Sequence, residues 1–106
     1  MPFYYIICII ILTDNDLNQS IKECIRNNLL AQEKLYKYYY EDMFCACLRY
    51  TEDAHDVLSI LYDAFLKVFL HISQYKKELG NFKAWLSAIV INTAIDYTRR
   101  CKNRLG

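Results

Sequence analysis

Three observations predict an all-α fold for this sequence, a compact bundle of about four helices. One Pro and two Gly in 106 residues are too little punctuation for strands alternating with turns. Between the few breaks, apolar residues recur every three or four positions over long segments. An apolar content of 55% supplies one core, and the length leaves no material for a second domain.

The first helix is predicted from about Asp16 or Leu17 to Arg26, with Thr13 or Asp14 as N-cap and Ile21 and Ile25 as its apolar pair, ending at the Asn27-Asn28 break. The second covers about residues 30–50, where Leu35, Tyr39, Met43, Ala46 and Tyr50 recur at helical spacing. Its YKYYY run is therefore read as packing and boundary aromatics rather than as a stacking platform. Thr51, Glu52 and Asp53 make the next turn. The third helix runs over about residues 54–72, with Val57, Leu61, Ala64, Val68 and Ile72 as its core face and Asp56, Ser59, Asp63 and Lys67 opposite. A polar loop, SQYKKELGN, spans Ser73 to Asn81, and its Gly80 can supply a positive φ before the last helix.

That last helix, from Asn81 to Arg104, reads NFKAWLSAIVINTAIDYTRRCKNR and carries two distinct stripes. Phe82, Leu86, Val90, Thr93 and Tyr97 share one face, suited to burial. Trp85, Asn92, Asp96 and Arg99 share another, and Arg100, Lys102 and Arg104 extend its end into a cluster of cations. Cations at a helix C-terminus complement the macrodipole, but one pair satisfies that rule. Four of the thirteen Lys and Arg fall within residues 99–104, which points to a basic edge suited to nucleic acid.

The net charge of +1 conceals a polarity. Residues 1–65 carry five Lys or Arg against ten Asp or Glu, whereas residues 66–106 carry eight against two. An acidic part and a basic part suggest two different partners. Cys8, Cys24, Cys45, Cys47 and Cys101 are odd in number and show no C-x-x-C spacing, so neither a disulfide framework nor a zinc site is indicated, and a cytoplasmic, reducing location fits best. His55 and His71 stand apart from every cysteine and read as surface or boundary residues. No cofactor is expected and no enzyme site emerges. The carboxylates are scattered, no Gly-rich phosphate loop is present, and no Ser, Cys and His fall at a nucleophile spacing. The uncharged stretch Phe3 to Leu12, FYYIICIIIL, is too short for a bilayer span of about 20 residues and lacks the flanks of a secretory signal. It is expected to form an extension, residues 1–13, outside a domain at 14–104. A membrane tether is the reading it would otherwise support.

Three pieces in order carry a family resemblance: F-L-K-V-F at Phe65 to Phe69, F-x-x-W-L at Phe82 to Leu86, and I-N-x-A-I-D-x-x-R-R at Ile91 to Arg100. Together with LYKYYYEDMFCACLRY they resemble region 2 of the sigma-70 family of bacterial RNA polymerase sigma factors, closest to the extracytoplasmic-function type, over about Leu17 to Arg104. The resemblance implies a transcription initiation factor that binds core RNA polymerase through the β′ clamp helices and the promoter minus-ten element as melted, non-template single strand. It leaves room for an anti-sigma factor and implies no small-molecule substrate. Carried over by position, the polymerase-facing candidates are Asp56, Ser59, Tyr62, Asp63 and Lys67, although Ser59 and Tyr62 stand where the family commonly has Asp and Gln. The strand-capturing candidates are Lys76, Lys77, Asn81, Lys83, Trp85, Asn92, Arg99 and Arg100. Trp85 is open to two readings, core packing or base contact. Asp96 is expected to hold Arg99 or Arg100 by an ion pair. The family normally continues into a helix-turn-helix domain for the minus-thirty-five element, and this sequence stops at Gly106. The alternative function is a truncated, polymerase-binding helical module that does not read DNA.

Overall fold

The computed structural model describes residues 14–105. Four helices make up the described chain: α1 (Asp14–Ile25), α2 (Leu29–Cys47), α3 (Ala54–His71) and α4 (Phe82–Leu105). Two short 3-10 turns, Ile72–Gln74 and Lys77–Leu79, lie between α3 and α4. The expected all-α class holds, with no strand among the described residues. The apolar extension and the Thr13 cap fall outside the described residues. The chain divides into two compact units, Met1–Glu41 and Asp42–Gly106.

In the first unit the Asn27-Asn28 pair both ends one helix and starts the next. Asn27 takes a left-handed φ of 62°, which Asn tolerates better than most side chains. Its N–H donates to the Cys24 carbonyl at 2.9 Å, and the Asn28 N–H donates to that of Glu23 at 3.1 Å. These are the two bonds of a Schellman cap. Asn28 then caps α2, its Oδ1 accepting from the N–H groups of Leu30 and Ala31 at 3.0 and 3.2 Å. The apolar pair expected in α1 is corrected in part: Ile21 is buried, but Ile25 is exposed and Cys24 takes its place. Ile25 is the last helical residue, directly before the cap turns the chain away.

In α2 the buried stripe is Leu35, Tyr39, Met43 and Cys47, one residue every four. Ala46 and Tyr50, expected on that stripe, are half-buried and exposed. The helix stops at Cys47, three residues short of the expected end, so Tyr50 lies in the turn that follows. There the Thr51 Oγ1 accepts from the Asp53 N–H at 3.3 Å. Asp53 in turn caps α3, accepting from the His55 N–H at 2.8 Å.

The second unit is built on α3 against α4. Val57, Ile60, Leu61, Ala64, Phe65 and Val68 are buried along α3, followed by Ile72. Phe82, Leu86, Val90, Thr93 and Ala94 are buried along α4; the first four lie on the expected face, whereas Tyr97, also expected there, is half-buried. The Thr93 hydroxyl, the one polar group of that α4 stripe, donates to the Ile89 carbonyl at 2.7 Å and so is satisfied within its own helix.

Candidate nucleic-acid and protein interface

The loop before α4 is ordered by aromatics. Tyr75, Phe82 and Trp85 form a triangle with ring centroids 5.4, 5.5 and 5.6 Å apart, the separations at which tilted and edge-on ring pairs attract. The Tyr75 hydroxyl donates to the Gly80 carbonyl at 2.9 Å. Gly80 has φ of 109°, a conformation only glycine reaches without strain. A Cβ added there would meet only Ala84 Cβ, at 3.9 Å, so backbone conformation and not space demands glycine. Asn81 Oδ1 accepts from the Ala84 N–H at 2.8 Å and caps α4. Trp85 is half-buried: its ring packs in the triangle and still meets solvent.

The other strand-capturing candidates fall into two groups along α4. Lys76, Lys83 and Asn81 are exposed around the loop and the first turn, and Lys77 opens the second 3-10 turn. Asn92, Arg99 and Arg100 are exposed farther along, with Lys102 beyond them. Asp96 forms no ion pair with either arginine, contrary to expectation. Arg100 Nε instead donates to the Asp96 backbone carbonyl at 3.5 Å. Side chains on a helix lean back towards its N-terminus, which brings the Arg100 guanidinium over the Asp96 carbonyl one turn earlier.

Lys83 is drawn back across the unit by Asp42, 3.0 Å away. Beside this pair opens a cavity of about 280 Å³, lined by Asp42, Met43, Cys45, Arg49, Lys83 and Ser87 among others. The Ser87 hydroxyl's partner there is the Met43 thioether at 3.8 Å, a weak acceptor that a better one can displace. The cavity thus joins two cations and a carboxylate to a hydroxyl and an apolar wall. Of these residues only Lys83 was expected to face the strand. The others are spread over α2, the turn that follows it and α4, and only the folded chain brings them together.

The polymerase-facing candidates on α3 divide. Ser59 and Tyr62 are exposed, Tyr62 by 74%. Asp56, Asp63 and Lys67 are half-buried and engaged within the unit. Asp56 Oδ1 accepts from the Tyr97 hydroxyl at 2.7 Å and Oδ2 from Thr51 Oγ1 at 3.4 Å. Lys67 Nζ lies 3.4 Å from Asp63 Oδ2 and donates to Thr93 Oγ1 at 3.3 Å. The hydrogen bond to the Asp56 carboxylate, aided by burial and by that carboxylate's charge, pushes the Tyr97 phenol up to about 12.

Sequence reasoning missed the apolar side of α3. Leu58, Leu66 and Leu70 are 41, 58 and 75% exposed and, with Tyr62, form a stripe at four-residue spacing. Its signal was in the sequence: these leucines stand outside the predicted core face of a helix that already had a full one. Among the described residues no group of three or more His, Cys, Asp or Glu is placed to hold a metal, and no helix is long and apolar enough to cross a membrane.

The described residues thus form an all-helical domain with an exposed apolar stripe on α3 and an aromatic-cationic surface on the loop and helix that follow. Residues 35–104 match the family model for sigma-70 region 2, and the chain belongs to that family. The matched segment begins later than the expected start at about Leu17. Over 73 residues the chain is 29% identical to the ECF RNA polymerase sigma factor SigM of Bacillus subtilis (strain 168), in an alignment taking in 69% of this chain and 44% of that protein. The chain thus spans less than half the length of this curated relative. No solved structure matches.

Proposed function

We propose that this chain acts in the cytoplasm as the region 2 domain of an extracytoplasmic-function sigma factor, binding core RNA polymerase and holding the melted non-template strand of a minus-ten element. The observation that carries the reading is the division of the second unit's surface: the apolar stripe of Leu58, Tyr62, Leu66 and Leu70 on α3, against the ordered loop and cationic end of α4. The stripe is the docking face for the polymerase, with Ser59 beside it. The strand runs along α4 and the loop before it, where Lys76, Arg99, Arg100 and Lys102 meet phosphates and Asn92 reads a base edge.

Opening a duplex costs a few kcal/mol per extruded base, which a receiving pocket offsets. The cavity at Lys83 has the parts to receive one: Arg49 and Lys83 for the flanking phosphate, Asp42 and Ser87 for the base edge, and Met43 for the ring face. Trp85 adds a half-buried ring beside Tyr75 and Phe82.

Fluorescence anisotropy with labelled non-template oligonucleotides, with and without core polymerase and across a salt series, tests the reading. Replacing Arg99 and Arg100 by Ala weakens binding to all sequences alike, and each lost phosphate contact flattens the slope of log K against log salt by about 0.7. Replacing Asn92 or Ser87 lowers the preference for a minus-ten-like strand and leaves non-specific binding nearly intact. A polymerase-bound form with no sequence preference and a silent arginine pair would reduce the protein to a polymerase-binding module that does not read DNA.

A further inference from the structure

Asp56 and Lys67 are the two charged residues of α3 whose side chains reach a residue of α4. Every proton in these contacts has a place. Tyr97 donates to one Asp56 oxygen and Thr51 to the other. Thr93 gives its own proton to the Ile89 carbonyl, so the lone pair of its hydroxyl is what Lys67 meets. A carboxylate and an ammonium satisfied in this way have little left to offer a partner, whereas the stripe of Leu58, Tyr62, Leu66 and Leu70 remains open to solvent.

We infer that Asp56 and Lys67 are positioning residues, two polar clasps that set the rotation and axial register of α4 against α3 and so decide which of its side chains meet the strand. The inference rests on the reading of α4 as the strand-binding helix. Thr93 and Tyr97 are one turn apart on the same face of α4, so the two bonds hold that helix at two points, about 6 Å apart along its axis. On α3 their partners lie three turns apart, separated by about 16 Å. The apolar contacts of Leu86, Val90 and Ala94 are non-directional and tolerate small slides. Hydrogen bonds weaken steeply away from their preferred geometry and do not. A slip of α4 by a single residue would turn Asn92 and Arg99 by roughly 100° and carry them off the exposed face.

The test uses Tyr97→Phe, Asp56→Ala, the double variant and Asp56→Asn, which keeps an acceptor for Tyr97. Two quantities are measured: affinity for core polymerase, and, on the polymerase-bound protein, the ratio of affinities for a minus-ten-like and a scrambled non-template oligonucleotide. Tyr97→Phe and Asp56→Ala each lower the ratio by about three- to tenfold, the size of one partly buried hydrogen bond. The double variant lowers it no further, Asp56→Asn restores it, and polymerase affinity stays within about twofold throughout. Should Asp56→Ala weaken polymerase binding where Tyr97→Phe does not, Asp56 is a docking contact and the inference falls. It falls equally if both single variants keep the wild-type ratio. Tyr97→Phe removes one oxygen atom, so the comparison stands even if Asp56→Ala does not fold. If the wild-type protein itself shows no strand preference, the proposed function fails, and the clasp is judged on the free protein by NMR. The amide signals of Asn92 to Arg100 must then move alike in Tyr97→Phe and Asp56→Ala and return in Asp56→Asn, and unmoved signals overturn it.

Discussion

Replacing Leu66 and Leu70 together by Gln separates docking from folding. Gln is nearly as good a helix former as Leu, so α3 itself is little affected. Leu66 is 58% exposed and Leu70 75% exposed, and the folded chain loses at most about 1 kcal/mol from substitutions at such positions. The exposed share of the two side chains amounts to a little more than one whole leucine. Burying that much apolar side chain against a partner contributes about 2–4 kcal/mol, taking 1.5–3 kcal/mol for a fully buried leucine. At 1.4 kcal/mol per factor of ten, the loss in affinity is about 30- to 700-fold. Ordering costs at an interface consume part of any such gain, so the lower end, about thirtyfold, is the expected result. The assay is a titration of labelled protein with core RNA polymerase, paired with a circular-dichroism melt of each variant. An affinity within about threefold of wild type at an unchanged melting temperature would refute the docking stripe, since a difference so small is less than one buried methyl-sized contact.

Three further outcomes follow chiefly from burial. Leu86 is fully buried, so Leu86→Ala lowers the unfolding free energy by about 2–5 kcal/mol in denaturant titration. The thiols of Cys24 and Cys47 are pushed from 9.0 up to about 11, chiefly by burial; a group whose folded pKa is raised contributes stability below its unfolded value and loses it above, so unfolding free energy falls as pH rises from about 9 towards 11. At mildly alkaline pH the exposed Cys45 is alkylated first, and Cys24 and Cys47 react only as fast as their parts of the chain open. Mass spectrometry of the labelled chain reads the order, and early labelling of Cys47 would contradict its burial.

Much of the fold was legible because helix periodicity is a local property. The core faces of α3 and α4, the break at Asn27-Asn28 and the positive φ at Gly80 all stand where the sequence places them. What was missed lies at helix ends. Ile25 and Tyr50 continue their stripes on a wheel, yet the chain has turned, or is about to turn, when it reaches them. A cap pairs a side-chain oxygen with backbone N–H groups, and Asn28 and Asp53 make theirs at positions that a sequence pattern leaves ambiguous by a residue or two.

The candidate site was legible by residue type and less so by direction, and α3 shows why. Its polar residues Asp56, Asp63 and Lys67 were taken as the back of the helix because they are polar. On the wheel they stand at its shoulder, roughly a quarter to a third of a turn from the centre of the buried face. A residue at the shoulder can reach a neighbouring helix if its side chain is long or its target is, and Lys67 and Tyr97 meet that condition. The true back is held by Leu66 and Leu70, nearly opposite the core. A second apolar stripe on a helix that already buries one takes no part in the packing of α3 on α4. Single exposed leucines are ordinary on a protein surface, but a row spanning three turns is the mark of a face kept for a partner. Under the proposed docking, apolar surplus rather than polarity marks the face of α3 that meets the polymerase.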